Sequence, residues 1–311
     1  MRDLRRPPLL NTSAPCAHIV LNMNSGQGEA KILKDSAAKV CAEFGYLCEL
    51  YEPRSAQEMD DICQEALKKA QPEKDVVIAA GGDGTIQTLA KFAQGKKARI
   101  GAIPCGTFNY FTRTHGIPDR PLAALKVALT ETAKPTRLAE VNGQVFIINA
   151  SLGMYAKAIK DREEHISKFG RNRFVALLST LLNLLSPRLL LKVQITLNDE
   201  THKVRTPMIF VGNNELQMSE LAPNIAQCLQ KDELAIVIAK PYTKWDALRM
   251  MFKGLSKKLD QEERITCFAS KEVTIKSLKK TQLISLDGEL TKMKSPLVVR
   301  ARPNAVQMVR P

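Results

Sequence analysis

The run Val76-Val77-Ile78-Ala79-Ala80 carries no polar side chain and passes straight into Gly81-Gly82-Asp83-Gly84-Thr85, after which a helical pattern continues through residue 92. An apolar run this short, closed by glycine, reads as a strand buried on both faces, and such strands belong to parallel sheets covered by helices. The pattern recurs around it. Residues 17–22 read as a strand, followed by a Ser/Gly turn and a helix over 29–44; 46–51 and 56–70 repeat strand and helix; 98–103 is a fourth strand running into a glycine-containing loop at 104–109. Alternation of this kind predicts an α/β N-terminal domain, three-layered, with a mostly parallel sheet.

Past residue 135 the texture changes. Short β-rich runs fall at 138–141, 145–150, 192–197, 206–212, 234–239, 272–277, 281–286 and 297–302, interrupted by helical stretches at 159–191 and near 245–259. That is the pattern of a mainly β, sandwich-like C-terminal domain with helical insertions. The expected division is a flexible N-terminal tail over 1–16, an α/β domain over 17–135 and a mainly β domain over 136–311.

The formal net charge is +14, most of it after residue 135. An excess there favours an anionic partner: nucleic acid, a phosphorylated ligand or an acidic membrane surface. A merely solubilising surface would look the same. No aromatic-rich RNA platform or recognition-helix pattern accompanies the charge, so nucleic acid is set aside. Seven scattered cysteines without a CxxC pair suggest free thiols in a reducing compartment rather than a disulfide framework or zinc site. The basic, proline-containing first residues lack a continuous apolar stretch, which makes the cytoplasm the expected location. Residues 174–191 are Leu-rich, but Ser179, Thr180, Asn183, Ser186, Pro187 and Arg188 interrupt them. They read as an amphipathic helix ended or kinked by Pro187, not a membrane span.

Three glycine-rich turns fall at carboxyl ends of the expected parallel strands, where ligands collect in open α/β sheets. They are Asn22-Met23-Asn24-Ser25-Gly26-Gln27-Gly28, Gly81-Gly82-Asp83-Gly84-Thr85 and Pro104-Cys105-Gly106-Thr107-Phe108-Asn109. Glycines let backbone N–H groups approach phosphate oxygens, and a following helix N-terminus adds favourable partial charge. Ser25, Thr85, Thr107 and Asn109 add side-chain donors. There is no GxxxxGK[ST] and no full GxGxxG, so neither a P-loop nor a dinucleotide fingerprint is present. Asp83 exposes a carboxylate where phosphate would be drawn in, an arrangement that calls for Mg²⁺ or a transferable proton between them. Two further acidic spots, Asp287-Gly288-Glu289 and Asp232-Glu233, could accept a hydroxyl proton or hold a metal, although Asp-Gly is equally an ordinary hairpin signal.

These elements, taken in order with Asn149-Ala150-Ser151-Leu152-Gly153, Gly212-Asn213-Asn214 and Leu221-Ala222-Pro223-Asn224, resemble the diacylglycerol kinase catalytic family, which includes bacterial lipid kinases and sphingoid-base kinases. The resemblance spans about residues 17–302. It implies ATP-dependent transfer to a lipid hydroxyl, with Asn22, Ser25, Gly26, Gly81, Gly82, Asp83, Gly84, Thr85, Thr107 and Asn109 around the nucleotide, and the acceptor admitted to a cleft between domains. It also implies Glu289 as general base with Asp287 beside it. Leu229 and Leu234 (through their carbonyls) and Asp232 (through its carboxylate) match a structural or regulatory Mg²⁺ site, separate from the Mg²⁺ that accompanies ATP. The chain departs from the family pattern at Met23, usually Pro; at Glu233, usually Gly; and at Tyr110, often Asp or His.

The amphipathic stretch is flanked by Lys168, Arg171, Arg173, Arg188 and Lys192. It could rest on an anionic bilayer, giving a cytoplasmic protein peripherally associated with membrane, or serve as a core helix. Two alternatives stay open. One is an NAD kinase, which shares Gly81-Gly82-Asp83-Gly84-Thr85 but not the 104–109 turn. The other is a catalytically degenerate, membrane-binding regulatory protein. A homodimer also stays open.

Overall fold

The computed structural model describes residues 14–26, 28–154, 156, 190–241 and 265–311. Two compact units divide it, Met1–Lys134 with Val306–Pro311 and Pro135–Ala305. The expected helices at 159–191 and 245–259, the amphipathic stretch at 174–191 and the first thirteen residues of the tail lie outside the described residues.

The first unit alternates β1 (Cys16–Leu21), α1 (Glu29–Glu43), β2 (Leu47–Tyr51), α2 (Ala56–Lys69), β3 (Val76–Gly81), α3 (Asp83–Ala93), β4 (Arg99–Pro104), α4 (Tyr110–Thr114) and α5 (Pro121–Thr130). The strands pair in parallel in the order β2-β1-β3-β4. Every residue of β3 is buried, as its unbroken apolar run requires of a strand covered on both faces. Its carboxyl end, with those of β1 and β4, carries the three glycine turns.

The second unit holds β5 (Ala133–Val141), β6 (Gln144–Phe146), β7 (Asn149–Gly153), β8 (Leu191–Leu197), β9 (Glu200–Thr206), β10 (Met208–Gly212), α6 (Glu215–Leu221) and α7 (Pro223–Ala226). A 3-10 turn at Gln227–Lys231 leads into β11 (Leu234–Ala239), β12 (Ile265–Ser270), β13 (Glu272–Ser277), β14 (Thr281–Leu286), β15 (Glu289–Lys294) and β16 (Leu297–Val309). One antiparallel sheet runs β16-β13-β8-β9, with β5 and β6 attached; the other runs β12-β11-β10-β7-β14-β15. Their inner faces share a core that includes Ile195, Val273 and Val299 from the first and Leu152, Val211, Ile236 and Ile284 from the second. A mainly β sandwich is thus built from alternating inward residues of two sheets.

Three sequence expectations change. The run at 145–150 is two strands, because the N–H groups of Ile147 and Ile148 are taken by the Asp287 carboxylate instead of a ladder. The last strand continues past residue 302 to Val309. Gln307 and Met308 pair in parallel with Arg99 and Ile100 of β4, so residues 306–311 belong to the first unit, not to a 136–311 domain. Finally, β9, β12 and β15 were not expected. β9 is a polar edge strand (Glu200-Thr201-His202-Lys203-Val204-Arg205-Thr206) whose composition hides its pairing, as edges are protected against further pairing by charge. Among the described residues, no helix is long and apolar enough to cross a membrane.

Candidate active site

In the first unit the three turns touch one another. A Cβ added to Gly26, whose φ is +77°, would lie 2.2 Å from the Cys105 carbonyl oxygen, and one added to Gly106 would lie 2.7 Å from the Gly82 Cα. The first turn therefore packs on the third, and the third on the second, at distances only glycine permits. Hydrogen bonds fix the same arrangement: Asn22 N donates to Ala80 O (2.9 Å) and Cys105 N to Gly81 O (2.9 Å). Asn22 Nδ2 donates to Thr85 Oγ1 at 3.2 Å. A Cβ on Gly81 would sit 2.3 Å from that hydroxyl.

The helices that leave these turns differ from their neighbour α2. Ser55 caps α2 by accepting from Glu58 N, and Glu58 accepts from Arg54 N in return, a reciprocal capping box. The N-caps of α1 and α3 are Gly28 and Gly82, with no side-chain cap. Neither glycine N-cap has a side chain to offer the first turn of its helix, which suits these two turns to anionic oxygens.

The polar side chains singled out from the sequence divide into two groups. Asp83 accepts from the N–H groups of Tyr110 (3.1 Å) and Phe111 (3.0 Å), so its carboxylate caps α4 and ties the second turn to the third. Burial raises its pKa, against the pull of those two amides and of Arg113. Asn109, at φ +50°, closes its own turn: Oδ1 accepts from Gly106 N and Nδ2 donates to Gly106 O, both at 3.0 Å. Asn22 is likewise held by Thr85. Thr107 is exposed and Ser25 half-exposed at the rim. The glycines supply the cradle, and Asn22, Asp83 and Asn109 shape it.

In the second unit, Asp287 and Gly288 (φ +49° and +95°) form a two-residue hairpin between β14 and β15, the left-handed pair of a type I′ turn. The Asp287 carboxylate accepts three backbone N–H groups: Ile147 at 2.8 Å, Ile148 at 2.7 Å and Asn149 at 2.9 Å. Its own N–H donates to Asn149 O. Asp287 thus clamps the β6–β7 turn. Glu289, the first residue of β15, is exposed.

The residues matched to the structural Mg²⁺ site do not fit a divalent ion. The Leu229 carbonyl oxygen accepts from Arg137 Nη1 and from the Asp232 N–H, which uses both of its lone pairs. Arg137 Nη2 donates to Glu233 O at 3.0 Å and Nε to Asn213 Oδ1 at 3.0 Å. Asp232 stands at φ +60° and Leu234 opens β11 opposite Ser270. A guanidinium already occupies the oxygens of this turn.

Several groups escaped the sequence reading. Ser151 and Ser285 face each other across β7 and β14, fully buried. Their hydroxyls and the Asn149 Oδ1 have no partner among the described residues. The motif Asn149-Ala150-Ser151 marked the strand but not this pairing. Cys16, His18 and Glu49 bring ligand-type atoms within 4.8 Å of one another on β1 and β2, a grouping no spacing rule flags. His18 Nδ1 already lies 3.1 Å from Glu49 Oε2. All seven cysteines are free.

Residues 16–141 match the family model of the diacylglycerol kinase catalytic domain. A Staphylococcus aureus (strain MRSA252) protein named "Putative lipid kinase" is 25% identical over 305 residues, covering 93% of this chain and 92% of its own. The matched region contains all three glycine turns. A Pseudomonas aeruginosa protein named "Probable lipid kinase YegS-like" is 40% identical over 94 residues, 30% of this chain and 31% of its own. The fold is that of a diacylglycerol kinase from Bacillus anthracis str. Sterne, with TM-score 0.71 and 21% identity over 96% of this chain and 98% of that one.

Proposed function

We propose that this chain is a kinase that transfers the γ-phosphoryl group of ATP to the hydroxyl of a diacylglycerol-like lipid. The contact of the three glycine turns carries the reading, because it gathers backbone amides and two helix N-termini without a side-chain cap into one anion cradle. Phosphoryl transfer needs little covalent chemistry from the protein; positioning and charge stabilisation supply most of the rate. The turns of Gly26, Gly81, Gly82, Gly84 and Gly106 receive the triphosphate, with Ser25, Thr85 and Thr107 as side-chain donors. Mg²⁺ arrives with ATP as part of the substrate and neutralises developing charge. Asp83 keeps the cradle in shape. Glu289, whose carboxylate is exposed, accepts the proton of the attacking hydroxyl, and Asp287 holds the hairpin that carries it. Such an acceptor lies in a bilayer, and the net charge of +14 supports peripheral contact with an anionic membrane.

Incubation with γ-labelled ATP, Mg²⁺ and either mixed vesicles containing diacylglycerol or NAD tests this directly. Label is expected in the organic phase as a phosphomonoester of the lipid. Label recovered only in NADP would sink the lipid reading, and label in neither fraction would favour the degenerate regulatory protein.

A further inference from the structure

We propose that Arg137 supplies, from within the chain, the positive charge that a divalent cation would bring to the turn at residues 229–234, so that this turn is ordered without metal. The guanidinium sends Nε to Asn213 Oδ1, Nη1 to Leu229 O and Nη2 to Glu233 O. Three neutral oxygens, two from this turn and one from Asn213 after β10, converge on one half-buried cation, and the Asp232 carboxylate is close enough to favour its charge. That is the environment of a small cation site: converging carbonyl oxygens with a carboxylate beside them. Here the planar fork of an arginine fills it, with a charge that does not dissociate at any physiological pH. Mg²⁺ would need oxygens about 2.1 Å away in near-octahedral array. Leu229 O is saturated instead by Arg137 and the Asp232 N–H, and a second cation would be repelled.

The consequence reaches the catalytic hairpin. Asn213, held by Arg137, donates Nδ2 to Ile147 O at 3.2 Å and its backbone N–H to Ile148 O at 2.8 Å. Ile147 and Ile148 donate in turn to the Asp287 carboxylate. Arg137 is thus a positioning residue for the turn that Asp287 clamps, reached through Asn213, and a fixed charge there keeps that order independent of divalent concentration.

The test uses the full chain without nucleotide, unfolded thermally in EDTA and in millimolar Mg²⁺, Mn²⁺ or Ca²⁺. The wild type should melt at the same temperature in all, within about 1 °C. Arg137→Ala should melt about 5–10 °C lower in EDTA, and a divalent ion should restore part of that loss. Adding Asp232→Asn to that variant should abolish the restoration, which a purely structural arginine would not predict. If Arg137→Ala fails to fold, the milder Arg137→Lys carries the same comparison and the wild-type measurement stands by itself. Stabilisation of the wild type by Mg²⁺ that disappears in Asp232→Asn would overturn the proposal. So would an Arg137→Ala loss that no divalent ion relieves, or an Arg137→Ala protein as stable as the wild type in EDTA.

Discussion

Asp287 and Glu289 sit two residues apart, and one pair of isosteric changes separates their roles. In Asp287→Asn the retained Oδ1 can still accept from Ile148 and Asn149, which now donate at 2.7 and 2.9 Å to one oxygen. The other oxygen, which accepts from Ile147 at 2.8 Å, becomes an NH2 facing an N–H. Leaving that buried donor unpaired costs about 2 kcal/mol, and weakening two charge-assisted bonds adds roughly 1 kcal/mol. The backbone contributes nothing to the loss, because Asn tolerates the left-handed φ of +49° and Asn-Gly suits the same turn. The total of about 3 kcal/mol corresponds to a fall in Tm of about 6–12 °C for a unit of this size. Glu289 is exposed, so Glu289→Gln should move stability by less than about 0.5 kcal/mol while lowering kcat about 10²- to 10⁴-fold. Urea unfolding followed by circular dichroism gives the first quantity, and initial rates with saturating ATP and lipid, taken well below Tm, give the second. Asp287→Asn should lose stability while keeping more of its kcat than Glu289→Gln does. An Asp287→Asn protein with wild-type stability and no turnover would refute the clamp and make Asp287 the proton acceptor.

Gly26→Ala should raise the Kd for ATP at least about tenfold by calorimetry, because its Cβ would meet the Cys105 carbonyl at 2.2 Å and φ +77° adds about 1–2 kcal/mol of backbone strain; unchanged affinity would remove the first turn from the nucleotide site. Asn109→Asp keeps the acceptor for Gly106 N–H but replaces the donor to Gly106 O with a charge beside the cradle, so ATP binding should weaken while Glu289-dependent steps do not change. His115, its ring edge-on to Phe111 at 4.6 Å, has its pKa pushed down to about 4 by burial and then by Arg310. The folded pKa lies below the unfolded one, so the contribution is complete above pH 6.5 and drains away as pH falls through 4. The ceiling is about 3 kcal/mol, and about 1–2 kcal/mol is expected for a partly exposed ring. His115→Phe should flatten that part of the pH–stability curve, measured by urea midpoints between those limits.

The parallel sheet was legible because β1, β3 and β4 announce themselves locally, as largely apolar runs that lead into glycine-rich turns. The cradle was legible for the same reason, since the glycines that let Gly26 approach Cys105 and Gly106 approach Gly82 stand in the sequence at strand ends. What the polar residues do with their atoms was not. Asp83, Asn109 and Asp287 each spend their oxygens on backbone amides. For Asp83 and Asp287 the partners stand 28 and 139 residues away, a pairing with no local signature. Arg137 was invisible for another reason. It is one of 46 basic residues, and only the three acceptors folding brings to its guanidinium set it apart. Edge strands such as β9 were missed because solvent-facing charge dilutes their alternation.

The last strand has a consequence for how such a chain is made. Val306, Met308 and Val309 are buried, and β16 lies beside β4 through Gln307 and Met308. A ribosome that has released residues 1–134 has therefore not yet delivered the strand that borders β4, and β4 waits as an open edge while more than half the chain is still to be synthesised. Expressing the α/β unit as residues 1–134 would make that transient state permanent and invite edge-to-edge aggregation. Appending residues 306–311 through a linker is the change that should cover the β4 edge and suppress that aggregation.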